Sequence, residues 1–233
     1  MHLTNVERMF DYRKVPPPAA NRHRVHELRQ RVLRMQGAAV TRTLDSLPGL
    51  AGVLQLKTGG AYAVESLSLA MALMAGPSNA GEWSAVVGMP DFGLAAAAAY
   101  GLDLDRTVIV PRPGEHWLSV AAGLLEAATV VAIRPSARVT EHQAERLRSR
   151  LRQKDATLIC LGEWPRADAT VRIVRSTWMG LGHGNGHLTS RLVDVEVQQS
   201  GPMRQASLWL PALDQSVVAT EEHVVPINTA KAG

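Results

Sequence analysis

The stretch Lys57-Thr58-Gly59-Gly60-Ala61-Tyr62-Ala63-Val64-Glu65 holds a lysine and two glycines at nearly the spacing of a phosphate site, but in the wrong order. Before it, the apolar run Val53–Leu56 predicts a strand; after it, the run from Val64 to about Ala75 predicts a helix. Strand, glycine turn and helix make the frame of a P-loop, G-x-x-x-x-G-K-[ST]. There, backbone N–H groups cradle the phosphates, the lysine reaches the outer ones and the hydroxyl holds Mg²⁺. Gly59 and Gly60 supply the turn. Val64, however, stands where the lysine should open the helix, and Glu65 stands where the hydroxyl belongs. A carboxylate at that point repels a phosphate. Lys57 precedes the turn and could serve only as a relocated phosphate ligand; the alternative is an ordinary surface lysine.

Other residue types with chemical potential lack their context. His183 and His187 are four apart, but the run Leu181-Gly182-His183-Gly184-Asn185-Gly186-His187 alternates glycine, which denies the pair the helix that a zinc-binding i,i+4 arrangement requires. A hairpin loop is expected there. Ser66 and Ser68 have no G-x-S-x-G frame. Cys160, the single cysteine, lies in the apolar run Thr157–Leu161 and reads as a small buried hydrophobe. The residues therefore predict no catalysis, no cofactor and no metal.

With 233 residues, 46% of them apolar, the chain can bury one aliphatic α/β core. No apolar run of about 18 residues suggests a membrane span, and the amino terminus lacks the apolar core of a signal peptide. A cytoplasmic protein is the expectation. The formal charge of +4 is unevenly spread: residues 1–46 carry nine Lys or Arg against four acids, leaving the remainder at −1. Within that arm Pro16-Pro17-Pro18 is a stiff spacer. Asn21 can cap a helix reaching about Gly37, on which Val25, Leu28, Val32 and Met35 form an apolar stripe between arginines. The arm is either a solvated helix face or a contact for nucleic acid or an acidic protein, and Arg22, Arg24, Arg29 and Arg31 are its candidate residues.

The elements beyond the arm alternate. Strands are expected at Ser84–Val87, Thr107–Val110, Thr129–Ile133 and Thr157–Leu161, separated by helices at Ala95–Ala99, after Pro113-Gly114-Glu115, and after the capping box Thr140-x-x-Gln143. Gly76 to Gly81 reads as a turn. Strands without alternation are buried on both faces, as in a parallel sheet. From residue 170 the pattern becomes antiparallel, with strands at 171–178, 191–198 and 206–210.

This order of elements resembles the core of RecA recombinases over residues 45–210. Gly101-Leu102-Asp103-Leu104-Asp105 ahead of an apolar strand and Pro113-Gly114-Glu115 opening a helix are similar to RecA segments. Set against that resemblance, the Walker A positions are degenerate at Gly59, Gly60, Val64 and Glu65, and the Walker B strand ends in Arg134 instead of an aspartate. The catalytic glutamate position falls near Met89, with Asp91 the nearby but displaced acid. Gly162–Thr170 is too short for the second DNA-binding loop. The run Trp178-Met179-Gly180-Leu181-Gly182-x-Gly184-x-Gly186-x-Leu188, with Arg191 and Leu208-Trp209-Leu210-Pro211, resembles the actinobacterial ImuA-prime family.

That resemblance implies a non-catalytic accessory role in DNA repair by translesion synthesis during the SOS response. The implied partner is an ImuB-type adaptor, an inactive Y-family polymerase relative. Through it come an error-prone C-family polymerase and the sliding clamp, with nucleoid association in the complex and at most weak DNA contact through the arm. A SulA-like cell-division inhibitor and an ATP-binding protein using Lys57 are the alternatives. The expected organisation is a basic arm at 1–46, a RecA-like mostly parallel α/β domain at 47–211 and a loose tail at 212–233. Trp164, in the loop Glu163-Trp164-Pro165-Arg166, is a further candidate partner anchor.

Overall fold

The computed structural model describes residues 41–181, 186–220 and 225–227. Its centre is a run of short apolar strands: β1 (Ala61–Val64), β2 (Ser84–Val87), β3 (Thr107–Val110), β4 (Val130–Ile133) and β5 (Thr157–Leu161). Every residue of β1, β2 and β4 is buried, because helices cover both faces. All five run parallel in the order β3-β2-β4-β5-β1. Next to β1 comes β6 (Ala169–Leu181), parallel to β1 but antiparallel to β7 (Gly186–Gln199), which leads to β8 (Met203–Trp209). The architecture is thus the α/β fold anticipated from the sequence, a mostly parallel sheet flanked by helices with an antiparallel carboxy-terminal extension.

Strict alternation along the strands divides the core in two. Tyr62, Val64, Val86, Ala132 and Ile159 point to one face, under α1 (Leu67–Asn79) and α2 (Leu94–Ala99), and this cluster continues into Val193, Val195, Val197 and Leu208. Ala61, Ala63, Ala85, Val87, Val131, Ile133, Leu158 and Cys160 point to the other, under α3 (Trp117–Leu124) and α4 (Glu141–Lys154). The capping box forms as read: the Thr140 hydroxyl accepts the Gln143 N–H, and the Gln143 side chain accepts the Thr140 N–H. Ala144, Leu147 and Leu151 are the buried stripe of α4.

The first strand is displaced from its expected position. Val53, Leu54 and Leu56 are buried, but as irregular chain packed on the first face, and the strand is Ala61–Val64. Both segments are four residues long and mostly apolar, but the first is met only at its end, where the Leu44 N–H donates to the Leu56 carbonyl, whereas the second pairs with β5 on one side and β6 on the other. Gly59 (φ +79°) makes the turn before β1, its N–H donating to the Ala156 carbonyl. The first helix starts at Leu67, later than Val64, and runs through Gly76-Pro77-Ser78-Asn79, which the sequence marks as a turn. Pro77 forgoes the i→i−4 hydrogen bond to the Leu73 carbonyl, and the helix ends two residues later. Gly76 packs against the backbone of residues 45–47.

Both outer boundaries also move. The chain divides at Val40/Thr41 into two units, so the body begins before residue 47. Arg42 belongs to that body: its N–H donates to Thr58 Oγ1 and its guanidinium pairs with Glu82 at 2.6 Å, while Leu44 is buried. Part of the tail joins the sheet, with β9 (Val218–Ala219) and β10 (Val225–Ile227) each pairing antiparallel with β8. No helix among the described residues is long and apolar enough to cross a membrane.

Candidate functional site

Ligands of open α/β sheets bind beyond the carboxyl ends of the parallel strands. At that edge β1 passes to α1 through Glu65 and Ser66 alone. Two residues cannot enclose a phosphate as the longer P-loop does. The turn is also occupied by its own contacts. Glu65 donates its N–H to the Val171 carbonyl and pairs with Arg172 at 2.9 Å, and the Ser66 and Ser68 hydroxyls bond each other at 2.7 Å. Val64 is the buried last residue of β1 and opens no helix. Gly59 and Gly60 lie at the opposite, amino-terminal edge, where the Gly60 carbonyl accepts the Leu158 N–H. The expected degenerate phosphate loop is therefore not one loop: its glycines and its Val64-Glu65 pair sit at opposite ends of β1. Lys57 shares the amino edge. Its N–H donates to the Tyr62 hydroxyl and its carbonyl accepts from Thr157. Burial is the main cause that pushes the Tyr62 hydroxyl up to about 12.

At the carboxyl edge of the neighbouring strands, two positions read separately in the sequence meet. Arg134, directly after β4, donates to both oxygens of Asp91 at 2.5 and 3.0 Å. A guanidinium thus stands where a metal-organising carboxylate would, and it takes up the nearest acid. The side-chain hydrogen bond from Arg134 holds the Asp91 carboxyl below the usual aspartate range. A lowered folded-state pKa favours the fold while the carboxylate is ionised, and the benefit disappears as pH falls through that value. In Arg134→Gln the Asp91 titration, followed by carboxyl-carbon NMR, is expected to move up toward the ordinary aspartate value. An unmoved midpoint would show that the pair does not form in solution.

Trp164 is corrected from surface anchor to core. It is 6% exposed and packs in the cluster under α3 and α4. The cause is topological: residues 162–168 must carry the chain from the carboxyl end of β5 to the amino end of β6, on the far side of β1. That crossover is fastened at both ends. Cys160 Sγ lies against the Glu163 carbonyl, Asp168 accepts the Ala61 N–H at 2.8 Å, and Arg148 donates to Asp168 and to the Arg166 carbonyl. Arg166 in turn pairs with Glu141. Cys160 is buried as expected, and burial pushes its thiol up to about 12, so it is unreactive at neutral pH.

The feature that sequence reasoning missed is the far half of the β6–β7 hairpin. These strands are 13 and 14 residues long, against four or five for β1 to β5. Eleven large apolar side chains are exposed among the described residues, and five of them lie on this hairpin: Val174, Trp178, Met179, Leu181 and Leu188. Trp178 and Arg191 are directly paired across the strands, with the guanidinium 5.5 Å from the indole centre. The available signal was the adjacent pair Trp178-Met179, which puts apolar groups on both faces of one strand. His187 lies on β7, and His183 is outside the described residues. No group of three His, Cys, Asp or Glu suited to a metal occurs among the described residues. Arg22, Arg24, Val25, Leu28, Arg29, Arg31, Val32 and Met35 fall outside them as well.

Comparison with known sequences gives two findings. Residues 48–166 match the family described as the MT3502 N-terminal domain. The chain is also 38% identical over 119 residues to the uncharacterized protein Rv3395c of Mycobacterium tuberculosis. That stretch is 50% of this chain and 54% of the relative, so the match spans about half of each.

Proposed function

The chain belongs to the MT3502 N-terminal domain family, and from that premise we propose that it is a non-catalytic, RecA-like accessory protein acting by protein–protein interaction in DNA-damage-induced mutagenesis. The observation that carries the non-catalytic part is the two-residue β1–α1 turn, with Glu65 held by Arg172 where a phosphate would need an open loop. The Arg134–Asp91 pair supports the same reading at the metal position. Lys57, at the opposite edge from that turn, is badly placed to rescue nucleotide binding.

The partner class comes from the resemblance to ImuA-prime: an ImuB-type adaptor, and through it an error-prone polymerase and the sliding clamp, at the nucleoid. A stretch of exposed apolar surface on a projecting hairpin is what an interaction protein needs. The test is co-purification of the full chain with the ImuB-type adaptor, with ATP–Mg²⁺ binding measured on the same preparation. A stable complex without nucleotide binding is expected. Failure to form the complex removes the mutagenesis reading, and ATP binding in the micromolar range removes the non-catalytic one.

A further inference from the structure

Resting on the interaction reading above, we propose that the far half of the β6–β7 hairpin docks an acidic, apolar-faced segment of the protein partner. In this arrangement Trp178 and Leu181 are the anchors and Arg191 holds a partner carboxylate.

Trp178 is 45% exposed, Leu181 68% and Leu188 47%. On two antiparallel strands, directly opposed residues share a face and neighbours alternate. Trp178 with Arg191 therefore lies on one face, and Met179 with Ser190 on the other. Bare apolar side chains are thus presented on both faces of β6, at Trp178 and at Met179, while Ser190 opposite Met179 is itself covered.

Charge decides the occupant. From Arg172 to Leu192 the chain holds three arginines and no acid. Arg172 and Arg175 are already matched, by Glu65 and Asp194. Arg191 has no carboxylate partner among the described residues. Its Nε donates to Ser176 Oγ at 2.7 Å, one Nη reaches Ser68 Oγ at 3.5 Å, and its plane rests on Trp178. A guanidinium carries five N–H donors, so most of Arg191's capacity remains, on a side chain already fixed in place. A fixed arginine beside a half-exposed tryptophan is the composition of an interface hot spot. One uncommitted cation suits one carboxylate. A polynucleotide or an anionic lipid surface gains its affinity from several cations together, and this ribbon does not offer them.

The experiment measures affinity of the full chain for the ImuB-type adaptor by titration calorimetry, with thermal melting of each variant as the folding control. Trp178→Ala and Arg191→Glu are each expected to weaken binding by about 30-fold or more, as loss of a hot spot does. Leu181→Ser, at the most exposed of these positions, is expected to weaken it without moving the melt. Arg191→Lys should retain part of the affinity. Unchanged binding of Leu181→Ser and Trp178→Ala, with the wild type bound, overturns the hairpin site and leaves the interaction reading standing. A wild type that does not bind the adaptor removes both. Wild-type binding to phosphatidylserine vesicles or to a single-stranded oligonucleotide that is lost in Trp178→Ala also overturns the proposal, in favour of lipid or nucleic acid.

Discussion

Trp164→Ala is expected to lower the free energy of unfolding by about 3–5 kcal/mol, the range for emptying a buried tryptophan site. The indole fills the space between the crossover 162–168 and the strands beneath α3 and α4, and no other large side chain in that loop can move in to replace it. Domain stabilities are about 5–15 kcal/mol, so the variant should be marginal at ambient temperature. Trp164→Phe separates packing from polarity. The indole N–H is buried and has no hydrogen-bond partner among the described residues, so phenylalanine keeps most of the packing while removing an unsatisfied donor. Urea denaturation of both variants checks the result. A Trp164→Ala melt equal to wild type, with partner binding lost, would restore Trp164 as a surface anchor.

The second large effect is at Gly76, in the last turns of α1. A Cβ there would stand 2.6 Å from the Asp45 carbonyl oxygen and 2.9 Å from the Leu47 nitrogen, both backbone atoms of the segment lying across the helix. Overpacking typically costs about 1–3 kcal/mol, and occasionally more when backbone must move. Gly76→Val adds a branched side chain at this crossing and is expected to reach or pass the upper end. It should also lift Leu44, Leu47 and Leu50 from their sites on the first face. Hydrogen exchange is the informative measurement: amides of residues 44–56 should lose protection first. Uniform protection with a shifted melt would mean that the strain spreads through the whole core instead.

What could be read locally was read well. The Thr140–Gln143 box lies within one helical turn, so its bonds depend on little beyond the helix itself. The strands β2 to β5 announce themselves as short apolar runs too brief for helices, and for β2, β4 and β5 burial on both faces explains the lack of alternation. The first strand could not be read in this way. Val53–Leu56 and Ala61–Val64 are both short and mostly apolar, and the choice rests with Leu158–Leu161 and Ala169–Val171, about a hundred residues away in the chain. The phosphate-loop reading failed with it, since it assumed the wrong strand.

Arg134 and Asp91 show the same division at the site. Each stands out in the sequence as a departure, but their pairing exists only because β2 and β4 are neighbours in the sheet. Trp164 sits among Glu163, Pro165 and Arg166, and hydropathy alone places such a residue outside. The need to cross β1 within seven residues puts it inside.

By itself the sequence determined the α/β class, the helix cap, the buried cysteine and the absence of a G-x-x-x-x-G-K-[ST] motif, because each depends on residue type or on spacing within a few positions. The tertiary structure alone decided which apolar run became the first strand, which tryptophan is covered and which is bare, and that Arg191 has no acid beside it among the described residues. Those outcomes depend on which distant segments become neighbours in space.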